Sequence, residues 1–437
     1  MREKVYDVIG IGIGPFNLGL AALLDPIKEI DSIFFEQKEK FDWHPGMLIE
    51  GTRLQVPFMA DLVTMADPTN EFSYLNYLKH HNRLYNFYFL QRLEMPRNEY
   101  NHYCQWAAER LEACQFSSRV VSVTPLEKPI KHYDVSVENT NNGEVHSYLT
   151  KNLIVGVGTI PSLPKSLQGM PEEDVIHSST FLQHEDRCKK AKSITVIGSG
   201  QSAAEIFREL LKDRSEYGYS INWITRSKGF FPMEETKLSL EHFSPEYIDY
   251  FYELPQDQKD EIFSNQQLLY KGISPHTITD IYNLLYEQTV GGKEMDVTLM
   301  PLTEVKGISQ TEDGKGYELK CRQWEKKKQF LIESEVVIGA TGYRPFIPNC
   351  LNGLSELIQW DELGRYNVSK DYKLMLNEDT TAEIYVHSGM QHTHGVGSTN
   401  LGLAVNRNKI IINQIAGKEI YPALENNIFQ KFEHNNS

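Results

Sequence analysis

Twice along this chain an apolar run closes on a glycine turn and reopens as a helix, and the two occurrences lie nearly two hundred residues apart. The first runs from Val5 to Gly12, through Gly14-Pro15-Phe16-Asn17, into Leu18 to Leu24. The second runs from Ser193 to Ile197, through Gly198-Ser199-Gly200-Gln201-Ser202, into Ala203 to Leu211. A strand, a glycine turn and a helix in that order open a dinucleotide-binding βαβ unit, because glycine permits the tight turn and lets backbone N–H groups approach a pyrophosphate at the helix N-terminus. The expected fold class is therefore α/β, with two Rossmann-like dinucleotide-binding domains, and 437 residues leave room for one further small unit.

The two turns call for different nucleotides. In Gly12-x-Gly14-x-x-Asn17 the asparagine replaces a third glycine, which implies a slightly wider helix–strand fit or a polar contact to phosphate. The following strand, Ser32-Ile33-Phe34-Phe35, ends in Glu36, an acid placed to accept hydrogen bonds from a ribose diol. After the second turn the strand Ile221 to Thr225 ends instead in Arg226, which suits a 2′-phosphate. The second site is thus expected to hold NADPH. A chain with two dinucleotides uses the first as its resident redox centre, and FAD is the expected occupant. Ala340-Thr341-Gly342-Tyr343, small residues after a late strand, fit a close backbone approach to a flavin at Thr341 and Gly342.

These readings divide the chain into a discontinuous FAD-binding domain (1–165 and 336–437), an NADPH-binding domain (166–235 and 293–335) and a helical substrate-binding insertion (236–292). The insertion is recognised by polar segments bounded by Pro245, Pro255, Gly272 and Pro275, with Ile278, Ile281, Leu284 and Leu285 at helical spacing. The polar tail after Phe432 is expected to fray.

Bulk properties exclude several classes. A net charge of −15 discourages nucleic acid and anionic membranes as partners, and no run of about 20 apolar residues or leader pattern is visible. The expected setting is the cytoplasm, without stable membrane insertion, and the expected assembly is a homo-oligomer, a dimer or tetramer. The five cysteines form no CxxC pair, which argues against a disulfide framework, a zinc site and a flavin disulfide reductase. His387, His392 and His394 have no carboxylate or cysteine at ligand spacing, so no metal is expected. Phe181-Leu182-Gln183-His184 does not supply the Phe-x-Gly-x-x-x-His fingerprint of Baeyer–Villiger and sulfur-oxidising flavoproteins.

With these motifs in place, the chain resembles the N-hydroxylating flavoprotein monooxygenases of siderophore biosynthesis, the lysine, ornithine and diamine N-hydroxylases. The likeness rests on the two glycine turns together with Trp43-His44-Pro45-Gly46-Met47, Leu54-Gln55-Val56-Pro57-Phe58, Asp61-Leu62, Asp67-Pro68-Thr69, Ala340-Thr341-Gly342-Tyr343 and Thr393-His394-Gly395. It implies a C4a-hydroperoxyflavin route in which NADPH reduces FAD, O2 adds, and a substrate amine attacks the distal oxygen. It also implies that Gly12, Gly14, Pro15, Asn17, Glu36, Thr341, Gly342 and Leu401 bind FAD, and that Trp43, His44, Met47 and Gln55 line its ring. Gly198, Gly200, Gln201, Ser202 and Arg226 would hold NADPH. The amine must be neutral to attack, so its reference pKa of about 10.4 has to be lowered by desolvation. No catalytic acid or base is nominated.

The amine is suggested by three departures from the amino-acid hydroxylases of that family. A lysine that pairs with the substrate carboxylate is replaced by Ala60; an asparagine by Leu240; and, in a less firmly aligned stretch, a serine by Gly402. A carboxylate buried there would lose a charge-assisted bond worth about 1.5–3 kcal/mol. The expected substrate is a small aliphatic diamine, putrescine or cadaverine, with Glu241 or His242 as acceptor for the distal ammonium. L-lysine N6- or L-ornithine N5-hydroxylation, and a non-catalytic NADPH-sensing flavoprotein, remain the alternatives.

Overall fold

The computed structural model describes residues 4–433. Its largest sheet is organised around Val5–Ile11, which pairs in parallel with Ser32–Phe35 on one side and with Val145–Val155 on the other. Cys114–Gln115 extends the first edge in parallel. Val145–Val155 is long enough for two partners: its first half takes the antiparallel strand His132–Asn139, and its last four residues take Glu383–Val386 in parallel. Ser118–Leu126 closes that edge as an antiparallel neighbour. Helix Pro15–Leu24 has proline at its first position, where a missing N–H costs nothing, and is buried from Asn17 to Leu24. Being apolar nearly all round, it packs between the sheet and the C-terminal helix Leu401–Ala416.

A second, wholly parallel sheet has the spatial order Val175–His177, Val336–Gly339, Ser193–Ile197, Ser220–Ile224, Val297–Met300. Parallel strands must be covered on their faces, and all four residues of Val336–Gly339 are buried. This strand corrects one expected boundary. Residue 336 does not begin the return to the first unit; the chain leaves the second sheet only after Gly339. A three-stranded antiparallel sheet, Thr303–Gln310, Tyr317–Gln323 and Gln329–Ser334, lies before that strand.

Residues 236–292 form a run of helices, Lys237–Leu240, Pro245–Glu253, Gln256–Asn265, Leu268–Lys271 and Pro275–Gln288. The last packs Ile278, Ile281, Leu284 and Leu285 into the apolar core around helix Gln201–Tyr217. Tyr247 and Phe251 of Pro245–Glu253 instead pack with Val396 near the C-terminal helix. The helical run therefore touches both sheet units. No helix among the described residues is long and apolar enough to cross a membrane. Phe432, after which the tail is expected to fray, packs on Tyr247; of that tail only Glu433 is among the described residues, and 434–437 lie outside them.

Candidate active site

Both glycine turns and the helical insertion open onto one cavity of 2660 Å³. That is more than twice the roughly 1,000 Å³ at the upper end for a single small-molecule site, so the space suits two dinucleotides and a substrate.

At the first turn Gly12 has φ +85°, and a Cβ there would lie 2.8 Å from the Gly156 carbonyl oxygen. Gly14, which caps helix Pro15–Leu24, is different: a Cβ on it would meet nothing nearer than 4.0 Å, so its tight side faces the cavity and not the protein. This is a cradle that fits a pyrophosphate. Glu36 lines the same region, and its carboxylate accepts the Ile13 N–H at 2.9 Å and the Lys38 N–H at 3.0 Å. Asn17 is placed otherwise than expected. It is fully buried and does not line the cavity; its amide donates to the Gly12 carbonyl at 2.7 Å and to that of Ile11 at 3.3 Å. It braces the turn from beneath.

The residues expected around the flavin ring are brought together. Trp43 and His44 meet edge to face at 4.7 Å, His44 meets Tyr343 at 5.4 Å, and Tyr343 meets His177 at 5.3 Å. Burial, then the positive charges of Arg97 and Lys38, lower the His44 pKa to about 4, so its imidazole is neutral at ordinary pH. His177 was not singled out from the sequence. Its Nδ1 takes the Ser179 N–H at 3.1 Å and its Nε2 lies 3.0 Å from the Gly342 carbonyl, which fits a neutral ring donating from Nε2. It thereby fixes Gly342, which has φ +82° and no protein atom within 4 Å of where a Cβ would stand. The Thr341 hydroxyl is directed elsewhere, to the Ser162 carbonyl at 2.6 Å. Gln55 reaches the Ser274 hydroxyl at 3.0 Å, and Met47 is buried at the cavity wall. Leu401 begins the C-terminal helix, whose N-terminus opens on the cavity with Asn400 as its cap.

At the second turn Gly198 has φ +150°, and a Cβ would come within 2.3 Å of the Ala340 carbonyl oxygen. Gly200 caps helix Gln201–Tyr217, and Ser202 and the exposed Arg226 line the cavity beside it. Gln201 is largely committed to the protein: its amide donates to Glu205 and Thr277 and accepts the Ser274 N–H at 2.8 Å. Lys271 was missed by sequence reasoning. Its carbonyl lies 3.5 Å from where a Gly200 Cβ would stand, and burial followed by the charge of Arg226 lowers its pKa. Arg226 and Lys271 thus bring two cations to this part of the cavity lining.

Ala60 and Gly402 share one wall, 3.5 Å apart from the Ala60 Cβ to where a Gly402 Cβ would stand, and Leu240 lines the same cavity. The two expected ammonium acceptors are not available in the way predicted. The Glu241 carboxylate accepts the backbone N–H groups of Phe429 and Gln430 at 3.1 and 2.9 Å, which hold its pKa below the usual range. His242 lies outside the cavity lining, packed on Tyr247 and Phe432 with Nδ1 on the Ser239 carbonyl. Both anchor the C-terminal segment, whose Leu424, Asn427 and Ile428 line the cavity. Several half-buried carboxylates line the cavity, Glu94, Glu234 and Glu235 among them, and Glu235 is the one held above the usual range. Burial, then Glu94, push its pKa up.

Among the described residues no group of three or more His, Cys, Asp or Glu side chains could hold a metal ion. His392 Nε2 is used on the Tyr366 carbonyl and His394 Nδ1 on the Thr393 hydroxyl, each at 2.8 Å. The five cysteines are free thiols.

The family model described as L-lysine 6-monooxygenase/L-ornithine 5-monooxygenase matches residues 4–345. A putrescine N-hydroxylase from Acinetobacter baumannii is 41% identical over 98% of this chain and 94% of its own length. An L-lysine N6-monooxygenase from Escherichia coli is 32% identical over 96% of both. Among solved structures, a cadaverine monooxygenase of the desferrioxamine pathway from Erwinia amylovora, bound to FAD, superposes with a TM-score of 0.95 at 41% identity, covering 100% of both chains. An ornithine N-hydroxylase from Kutzneria, with reduced FAD, NADP+ and L-ornithine, superposes with a TM-score of 0.87 at 28% identity over 95% of this chain and 99% of that one.

Proposed function

We infer the reaction from a plain premise: this chain belongs to the L-lysine 6-monooxygenase/L-ornithine 5-monooxygenase family. It is an FAD- and NADPH-dependent N-hydroxylating monooxygenase, and its substrate is a small aliphatic diamine, putrescine or cadaverine, hydroxylated for hydroxamate siderophore assembly. The observation that carries the substrate class is the wall formed by Ala60 and Gly402, with Leu240 on the same cavity, which offers a carboxylate no partner. Putrescine and cadaverine are also what the two relatives at 41% identity are named for.

Bound FAD supplies oxygen activation; the chain supplies binding, orientation and dryness. The two sheet units act as two dinucleotide-binding domains. Gly14, the open N-terminus of helix Pro15–Leu24 and Glu36 hold the first cofactor, while Gly200, Ser202, Arg226 and Lys271 hold the second. Trp43, the neutral His44 and Tyr343 form an uncharged aromatic wall. Glu235 takes the distal ammonium, so the diamine is held by one end while desolvation favours the neutral form of the other. The enzyme acts in the cytoplasm. Its assembly into homo-oligomers is supported by helix Leu84–Leu90, which exposes Tyr85, Tyr88 and Phe89 together.

The experiment that tests this reading is product analysis of the FAD-loaded enzyme with NADPH, O2 and cadaverine or putrescine. Formation of the mono-hydroxylamine is expected. NADPH binding without amine-dependent hydroxylamine would instead assign a sensor.

A further inference from the structure

Behind the first nucleotide site lies a positive charge with no counter-ion among the described residues. Arg407, on the C-terminal helix, is 2% exposed, and no carboxylate among the described residues is paired with it. Its Nη1 donates to the carbonyls of Ser398 at 3.0 Å and His387 at 3.2 Å. Its guanidinium lies over the Phe16 ring at 4.7 Å and near that of Tyr372 at 5.6 Å. Its Nε and Nη2 have no hydrogen-bond partner among the described residues, nor has either ring nitrogen of the buried His387 beside it. Burial lowers the Arg407 pKa only to about 10, so the group stays charged at neutral pH, and burial pushes the Tyr372 hydroxyl up to about 12, so that side chain is no anion.

Removing a charge from water is unfavourable unless another charge offsets it. The placement of Arg407 says where that charge comes from. Arg407 does not line the cavity, but Phe16, His387, Met390 and Ser398, all within its reach, do. Phe16 stands two residues after Gly14, in the first turn of the helix whose N-terminus opens on the cavity. We propose that Arg407 is the counter-charge for bound FAD, a positioning residue acting through the wall made by Phe16, His387 and Ser398. This inference rests on the assignment of FAD to the first turn. The field of a buried charge reaches past that wall: opposite unit charges about 10 Å apart in a protein interior attract by the equivalent of roughly tenfold in a binding constant.

The test is FAD titration of the apoprotein, followed by flavin fluorescence, for the wild type, Arg407→Met and Arg407→Lys, with the reduction potential of each reloaded protein. The neutral variant is expected to bind FAD about tenfold or more weakly and to hold a flavin of lower reduction potential. The lysine variant is expected to stay within about threefold of wild type, because it keeps the charge but not the guanidinium's shape. Arg407→Gln takes the place of the methionine variant if that one does not fold. Unchanged affinity and potential in the neutral variant would overturn the proposal, and so would equal weakening by lysine, which would mark a tether for the Ser398 and His387 carbonyls. Wild-type apoprotein that takes up no FAD would remove the cofactor assignment itself, a separate failure read before any variant is compared.

Discussion

Arg97 meets Glu205 through two parallel hydrogen bonds of 2.8 Å, between a helix of the first sheet unit and the helix that follows the second glycine turn. The same guanidinium donates to the Met47 carbonyl at 2.9 Å, and the same carboxylate accepts the Gln201 amide at 2.9 Å. One buried pair therefore ties the aromatic wall of the first site to the turn of the second. Glu205→Ala leaves the guanidinium without its partner and is expected to destabilise the protein by about 3–5 kcal/mol, read as a lowered midpoint in urea unfolding. A midpoint unchanged from wild type would mean that the pair contributes nothing to joining the two units.

Gly14→Ala separates fold from cofactor. Its φ of −86° is open to any residue, and an added Cβ would touch no protein atom closer than 4.0 Å. The variant should fold with wild-type thermal stability yet retain less FAD, seen in the absorbance of the isolated protein. Loss of NADPH affinity with intact flavin would reverse the assignment of the two turns.

Arg226 and Lys271 line the cavity near the second turn. Arg226→Ala should narrow the preference for NADPH over NADH by roughly an order of magnitude, the scale of one charge-assisted bond. The double variant with Lys271→Ala should narrow it further. The check is steady-state oxidation of both nucleotides, and an unchanged ratio in the double variant would contradict the site.

Glu235→Gln should raise the KM for a diamine severalfold with a smaller effect on kcat. Because burial and Glu94 raise this carboxyl, the wild-type KM should climb as pH falls through a titration above the ordinary glutamate value of about 4.3, where the acceptor becomes neutral. The glutamine variant should lose that pH dependence. Retention of the wild-type profile would place the acceptor elsewhere.

The placement of the glycine turns, Glu36 and Arg226 on the cavity was legible in the sequence because each belongs to a local strand–turn–helix pattern set by residues a few positions away. What the sequence did not reveal depends on distant pairings. The Glu241 carboxylate is occupied by residues 188 and 189 positions further on, and no spacing rule links a helical insertion to a C-terminal segment. Asn17 read as a wider helix–strand fit or a phosphate contact because its position in the motif is clear; the direction of its amide, toward its own turn, is a rotamer fact. The strand Val336–Gly339 was assigned across a boundary because a buried parallel strand is equally apolar in either sheet. Lys271 lies in a short helix far in sequence from the second turn, so only folding brings its backbone beside Gly200 and its charge within reach of Arg226.

The central claim is that the cavity selects an amine without a carboxylate. Its direct test is hydroxylamine formed per NADPH consumed, measured side by side for putrescine, cadaverine, L-lysine and L-ornithine at equal concentration. The account predicts efficient coupling with one or both diamines and little hydroxylation of either amino acid. Efficient hydroxylation of lysine or ornithine, with poor turnover of both diamines, would contradict it.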